Sequence, residues 1–178
     1  MNSIQDRPSP PTPNSNYLLG NRILFGWAPS QPGSTGQYSN NIELLVQTNR
    51  DVFVNLMTSQ ETQTLYNYVP FVKSSKPDTV FLSYEIPDCG IPHDKSSFTQ
   101  FILNLKDLFD EGKTFYIHCR GGHGRSGLVT ACLLIAMSYS PSDALFEVKL
   151  SHLTREYIPD YPCPQTQEQV EFVKSFSL

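Results

Sequence analysis

The sequence predicts a three-layer α/β domain, in which a mostly parallel central sheet of four to five strands lies between helices on both faces. Three observations predict it. Short runs rich in Val, Ile, Phe and Tyr alternate along the chain with segments of helical periodicity. One of those segments, residues 126–139, is apolar almost all round, as a helix enclosed by its neighbours must be. The 178 residues suit one domain with a substantial core, and no internal repeat or second domain is visible. Strands that alternate with helices are joined by crossovers, which set the strands parallel and cover both faces of the sheet.

Residues 1–16 carry Pro8, Pro10, Pro11 and Pro13 among Ser, Thr and Asn, and read as a flexible Pro-rich arm, leaving 17–178 as the folded domain. Residues 23–27 read as the first strand. Residues 38–48 follow as a helix, with Ile42, Leu45 and Val46 at i, i+3 and i+4. In 51–57 the alternation of Val52, Val54 and Leu56 predicts a strand, and 79–86 (TVFLSYEI) predicts another. Residues 98–109 gather Phe98, Phe101, Ile102, Leu105 and Leu108 on one helical face. A short strand at 113–118 leads into the apolar helix. Pro141 opens a further helix capped by Ser140 or Ser142, and 165–176 closes the chain as a helix.

Hydrophobic residues make up 39% of the chain and charged residues 17%, a globular balance. The net charge of -4 and the absence of a Lys/Arg run argue against nucleic acid and against an anionic membrane surface. The opening MNSIQDRPSP has no apolar h-region, and the longest apolar run, 128–137, is half of the roughly 20 residues that a membrane span needs. The expected location is the cytoplasm or nucleus. Cysteines at 89, 119, 132 and 163 form no CxxC pair, so free thiols and no zinc are expected.

The chemistry is expected in HCRGGHGRSG, residues 118–127, between the strand at 113–118 and the apolar helix. Such a junction holds an anion: backbone N–H groups point inward and the helix dipole favours negative charge. Gly121, Gly122 and Gly124 permit the positive φ and close approach that the nest requires. The same field favours thiolate over thiol, so Cys119 is expected as a thiolate nucleophile at neutral pH. Of the four cysteines only Cys119 has an arginine six residues on, and the planar fork of Arg125 matches two phosphate oxygens. His118 ends the strand and is expected to bond backbone near the loop, while Ser126 is placed to donate its hydroxyl to the sulfur. The Walker pattern GxxxxGK[ST] is absent, which excludes a nucleotide loop of that kind. Departure of the substrate oxygen needs a proton, best supplied by a carboxyl on a loop at the same end of the sheet. Asp88, just past the strand at 79–86, is the candidate. Asp94 is the competitor, although its place before Ser97 suits a helix cap. Two in-line displacements follow: attack by Cys119, a phosphocysteine, and hydrolysis by water activated by Asp88. The nest and Arg125 supply the positive charge, and no metal or cofactor is expected.

With these residues in view, the chain resembles the protein tyrosine phosphatase superfamily, whose loop reads HCxxGxxR[ST]. It is most similar to small atypical dual-specificity phosphatases of the cyclin-dependent kinase-associated type. Their CxGGxGRS loop is matched by Cys119, Gly121, Gly122, Gly124, Arg125 and Ser126. Their acid loop is matched by Pro87, Asp88, Gly90 and Pro92, and their last helix start by Pro164, Thr166 and Gln169. The resemblance implies the cysteine phosphatase fold. It also implies a phosphoprotein substrate carrying phosphotyrosine or phosphoserine/threonine, with the loop residues Arg120 to Arg125 holding the phosphate. It further suggests that Gln169 or Gln165 helps position the hydrolytic water. Two features depart from the type. Arg120 and His123 place two basic groups on the loop, as lipid phosphatases of the superfamily do, which keeps a phosphoinositide or other polyphosphorylated substrate as an alternative. Cys89 sits beside the acid and is a candidate for a protective disulfide with Cys119. A catalytically silent phosphate reader is the third reading. Oligomeric state is not legible.

Overall fold

The computed structural model describes residues 8–30, 38–157 and 160–178. Its elements run β1 Ser15–Leu18, β2 Ile23–Gly26, α1 Tyr38–Gln47, β3 Val52–Asn55, α2 Ser59–Thr62, α3 Val69–Ser75, β4 Val80–Ser83, α4 Lys95–Asp110, β5 Phe115–His118, α5 Arg125–Ala136, α6 Pro141–His152 and α7 Gln167–Ser175. The five strands form one sheet in the order β1-β2-β5-β3-β4. Only the β1–β2 pair is antiparallel; β2–β5, β5–β3 and β3–β4 are parallel.

Period-2 alternation divides the strand side chains between two cores. Ile23, Phe25, Val52, Val54, Phe115 and Ile117 face α4, α5, α6 and α7. Leu24, Phe53 and Tyr116 face the other way, onto Ile42 and Leu45 of α1 and Val72 of α3. Helix α5 lies in the larger core, and every residue of it except Ile135 is buried, as its all-round apolar pattern predicts. The central strand β5 has Gly26 and Asn55 opposite His118, so the chain leaves the sheet at 119 from between two neighbours. The loop that follows therefore sits over the carboxyl ends of the strands, where open α/β sheets bind ligands.

Two expectations are corrected here. Residues 1–7 lie outside the described residues, but 12–16 do not behave as a flexible arm. Thr12, Asn14, Ser15 and Asn16 are buried, and β1 begins at Ser15. Three of these polar side chains are paired: Thr12 and Ser15 share a hydroxyl bond (2.7 Å), and Asn16 gives its Nδ2 hydrogen to Ser151 Oγ (3.0 Å) and accepts from Arg155 Nε (2.6 Å). Helices α2 and α3 were not expected from the sequence. Helix α2 is a single turn held by a capping box, Thr58 with Glu61. At α6 the cap is Ser140, which accepts from Asp143 N.

Candidate active site

The loop starts where β5 ends and closes where α5 begins. Cys119 is 2% exposed and lies at the floor. Its sulfur accepts the Gly122 N–H at 3.2 Å, and its thiol donates to Ser126 Oγ at 3.7 Å. The positive φ of the loop falls on Gly122 alone (φ +70); Gly121 and Gly124 do not have it. A side chain at Gly122 is also barred by space, since a Cβ would lie 2.2 Å from the Gly26 carbonyl carbon. At Gly124 the constraint is the close approach of Gln165 and Gln169, whose Oε1 atoms would lie 3.0 and 3.1 Å from a Cβ.

Arg125, the first residue of α5, is 1% exposed. Its Nη1 and Nη2 donate to the two oxygens of Glu61 (2.7 and 2.9 Å), Nη1 also to the Ile86 carbonyl (3.1 Å), and Nη2 to Asp88 Oδ1 (2.8 Å). Burial alone would lower the guanidinium pKa, but the Glu61 hydrogen bonds, with the charges of Cys119, Glu61 and Asp88, raise it instead. Burial would raise Glu61; its bonds to Arg125 and to the Thr58 N–H hold it below the usual carboxylate range. The Asp88 side chain is 65% exposed and reaches Arg125 from the turn after β4. Asp94 instead caps α4, accepting from Ser96 N at 2.9 Å.

His118 is the last residue of β5 and is fully buried. Its Nε2 meets the Tyr68 hydroxyl at 2.6 Å, a side-chain partner from the start of α3 rather than only the backbone expected. Burial lowers the imidazole to about 3, against a weaker bond with the Cys119 backbone, and burial also pushes the Tyr68 phenol up. The two meet as a neutral pair. His123 does not supply the second loop cation that was expected. It is buried against the Tyr161 ring (4.5 Å between centroids), and burial, with the nearby Arg155 cation, lowers it to about 4. Arg120 remains half-buried, its carbonyl accepting from Ala28 N.

Two residues at the site were not anticipated. Glu61 comes from α2, and the signal for it was present as the capping-box pattern Thr58-Ser59-Gln60-Glu61. Arg155, buried after α6, donates to the Gly122 carbonyl (2.6 Å) and the Phe25 carbonyl (3.2 Å), fixing the loop to β2. Burial lowers its pKa to about 10, so the guanidinium still carries its charge at neutral pH beneath the loop. No local pattern marks such a residue. All four cysteines are free; Cys89 is exposed and Cys163 donates to the His123 carbonyl at 3.2 Å. Among the described residues no His/Cys/Asp/Glu group could hold a metal, and no helix is long and apolar enough to cross a membrane.

Comparison with known proteins agrees with this geometry. A family model described as Swiss Army Knife protein, DSP-PTPase phosphatase domain, matches residues 31–170. Protein 197R of Invertebrate iridescent virus 6 is 31% identical over 167 residues, covering 92% of this chain and 53% of its own length. Protein 067L of Invertebrate iridescent virus 3 is 40% identical over 106 residues, covering 54% of this chain and 43% of its own. Both carry tyrosine phosphatase names, and this chain spans about half the length of each. The crystal structure of kinase associated phosphatase, with serine for its catalytic cysteine, superposes with a TM-score of 0.70 at 20% identity. It covers 89% of this chain and 90% of that one, and shares the fold. On the matched span, the chain belongs to the DSP-PTPase phosphatase family.

Proposed function

We propose that this chain is a cysteine-dependent phosphatase that hydrolyses phosphomonoesters of phosphotyrosine and phosphoserine/threonine in proteins through a phosphocysteine intermediate. The observation that carries the reading is the convergence on one loop of the Cys119 sulfur under the Gly122 N–H, the Arg125 fork and the Asp88 carboxyl. In this reading the Cys119 sulfur attacks phosphorus while Asp88 gives its proton to the departing oxygen. The loop N–H groups and Arg125 hold the equatorial oxygens. Asp88 then takes a proton from water as that water attacks the phosphocysteine. Ser126 turns its hydroxyl toward the sulfur and stabilises it as the leaving thiolate.

The alternative of a phosphoinositide or another polyphosphorylated substrate rested on two loop cations. It loses support, because His123 is buried and neutral above about pH 4 and only Arg120 remains. Turnover of aryl phosphates without added metal tests the main reading. Cys119→Ser is expected to fall to background. Asp88→Asn is expected to lose about 100-fold in kcat on phenyl phosphate, the scale of a lost general acid. A wild type that binds phosphate and turns nothing over would point to the silent reader. Hydrolysis of phosphoinositides faster than phosphopeptides would favour the lipid alternative.

A further inference from the structure

We propose that Gln169 is a positioning residue that holds the acid-bearing turn 87–90 in place, and not a group that orients the attacking water. The proposal rests on the phosphatase reading above and names how its acid is held. Gln169 is the third residue of α7 and is fully buried. Its Oε1 accepts the Gln165 and Thr166 N–H groups at 3.1 and 3.2 Å, and its Nε2 donates to the Gly90 carbonyl at 2.9 Å. Thr166 Oγ1 accepts the Gln169 N–H (3.2 Å) and donates to the Cys89 carbonyl (3.4 Å). The two carbonyls that follow Asp88 in the chain are thus both tied to the start of α7.

The turn needs such support. Gly90 N closes it onto the Pro87 carbonyl at 2.9 Å, and Cys89 sits at φ +59. A non-glycine residue keeps that left-handed conformation only where its surroundings over-determine it. The Asp88 side chain is largely exposed, so its placement on Arg125 depends on the backbone beneath it. Water orientation, by contrast, needs free polar atoms facing the pocket. Turning the Gln169 amide toward a water would break three hydrogen bonds and release Gly90. Gln169 also lies against Gly124, at the start of α5, so one side chain ties the acid turn to the phosphate loop.

The test uses Gln169→Glu and Gln169→Met. The third position of a capping box accepts Glu as well as Gln, so Gln169→Glu keeps both accepted bonds and α7, and replaces the donor to Gly90 with a charged oxygen that repels its carbonyl. Gln169→Met removes that donor without adding charge. Phenyl phosphate, whose phenolate leaves poorly, is compared with 2,4-dinitrophenyl phosphate, whose phenolate leaves without a proton. A misplaced acid should lower kcat/KM on phenyl phosphate about tenfold more than on the dinitrophenyl ester, in both variants. In an Asp88→Asn background, where no acid remains, Gln169→Glu should add nothing further on phenyl phosphate. Equal losses on both esters would overturn the proposal. So would accumulation of phosphocysteine in a rapid quench with kcat/KM unchanged, the mark of a water-orienting role. A wild type without turnover removes the phosphatase reading itself, a result separate from either of these.

Discussion

Both terminal nitrogens of Arg125 are hydrogen-bonded to protein groups: Nη1 to Glu61 and the Ile86 carbonyl, Nη2 to Glu61 and Asp88. The fork is therefore oriented by protein groups alone, and its buried charge is matched by a carboxylate of the same planar geometry. Replacing Glu61 by Gln keeps the shape and removes the charge. That should lower kcat/KM about tenfold through a less well-held clamp, and lower stability by about 1–3 kcal/mol, the range for weakening a buried charged bond. Steady-state kinetics and urea denaturation of the variant check both. At this scale Cys119 and Arg125 were legible because loop, sulfur and fork lie within one stretch of seven residues, 119–125. Glu61 is 64 residues away from Arg125, and its meeting with the clamp is an outcome of folding.

A single carboxylate also links an element to the chemistry. Glu61 Oε2 accepts from the Thr58 N–H (3.0 Å) and hydroxyl (3.1 Å) as part of the α2 capping box, and from Arg125 as well. A cap is worth about 1 kcal/mol to a helix. Thr58→Ala is expected to cost about that much and also to lower kcat/KM about threefold, because the same side chain steadies Glu61. Ser140→Ala, which removes the cap of α6 far from the loop, should cost about 1 kcal/mol and leave kcat/KM unchanged. Thermal denaturation paired with turnover separates the two. Strands β2, β3 and β5 were readable because their alternation of apolar residues serves two cores. Strand β1 was not, because Ser15 and Asn16 are polar and buried; Ser15 is paired with Thr12, and Asn16 with Ser151 of α6 and Arg155 after it.

Across the whole molecule, the buried titratable groups set a direction for stability against pH. His118 and His123 are lowered by burial to about 3 and about 4, from 6.5. Between those values and 6.5 the unfolded chain binds protons that the native chain refuses, so stability is full above 6.5 and falls as the pH drops. Each histidine contributes a slope of at most about 1.4 kcal/mol per pH unit. Asp51, held to about 2 by its bonds to Lys76 and Thr114 against burial that would raise it, adds a further loss between 3.8 and about 2. Denaturation midpoints are expected to decline from pH 6.5 downward, and His123→Gln should flatten the part of that decline above pH 4. A midpoint constant from pH 7 to 4 would contradict the burial of both rings.

What the sequence determined by itself was whatever local spacing encodes. The order of strands β2 to β5 and of helices α1, α4, α5, α6 and α7, the all-round burial of α5 and the glycine-rich junction at 118–127 follow from periodicity and from residues a few positions apart. The tertiary structure alone decided which distant groups meet. It put Glu61 and Asp88 on one guanidinium, Arg155 beneath Gly122, Gln169 on the turn at 87–90, and His123 into a neutral, buried position against Tyr161. The physical reason is that a charge or hydrogen-bond donor acts over a few ångströms of space, whatever its separation along the chain.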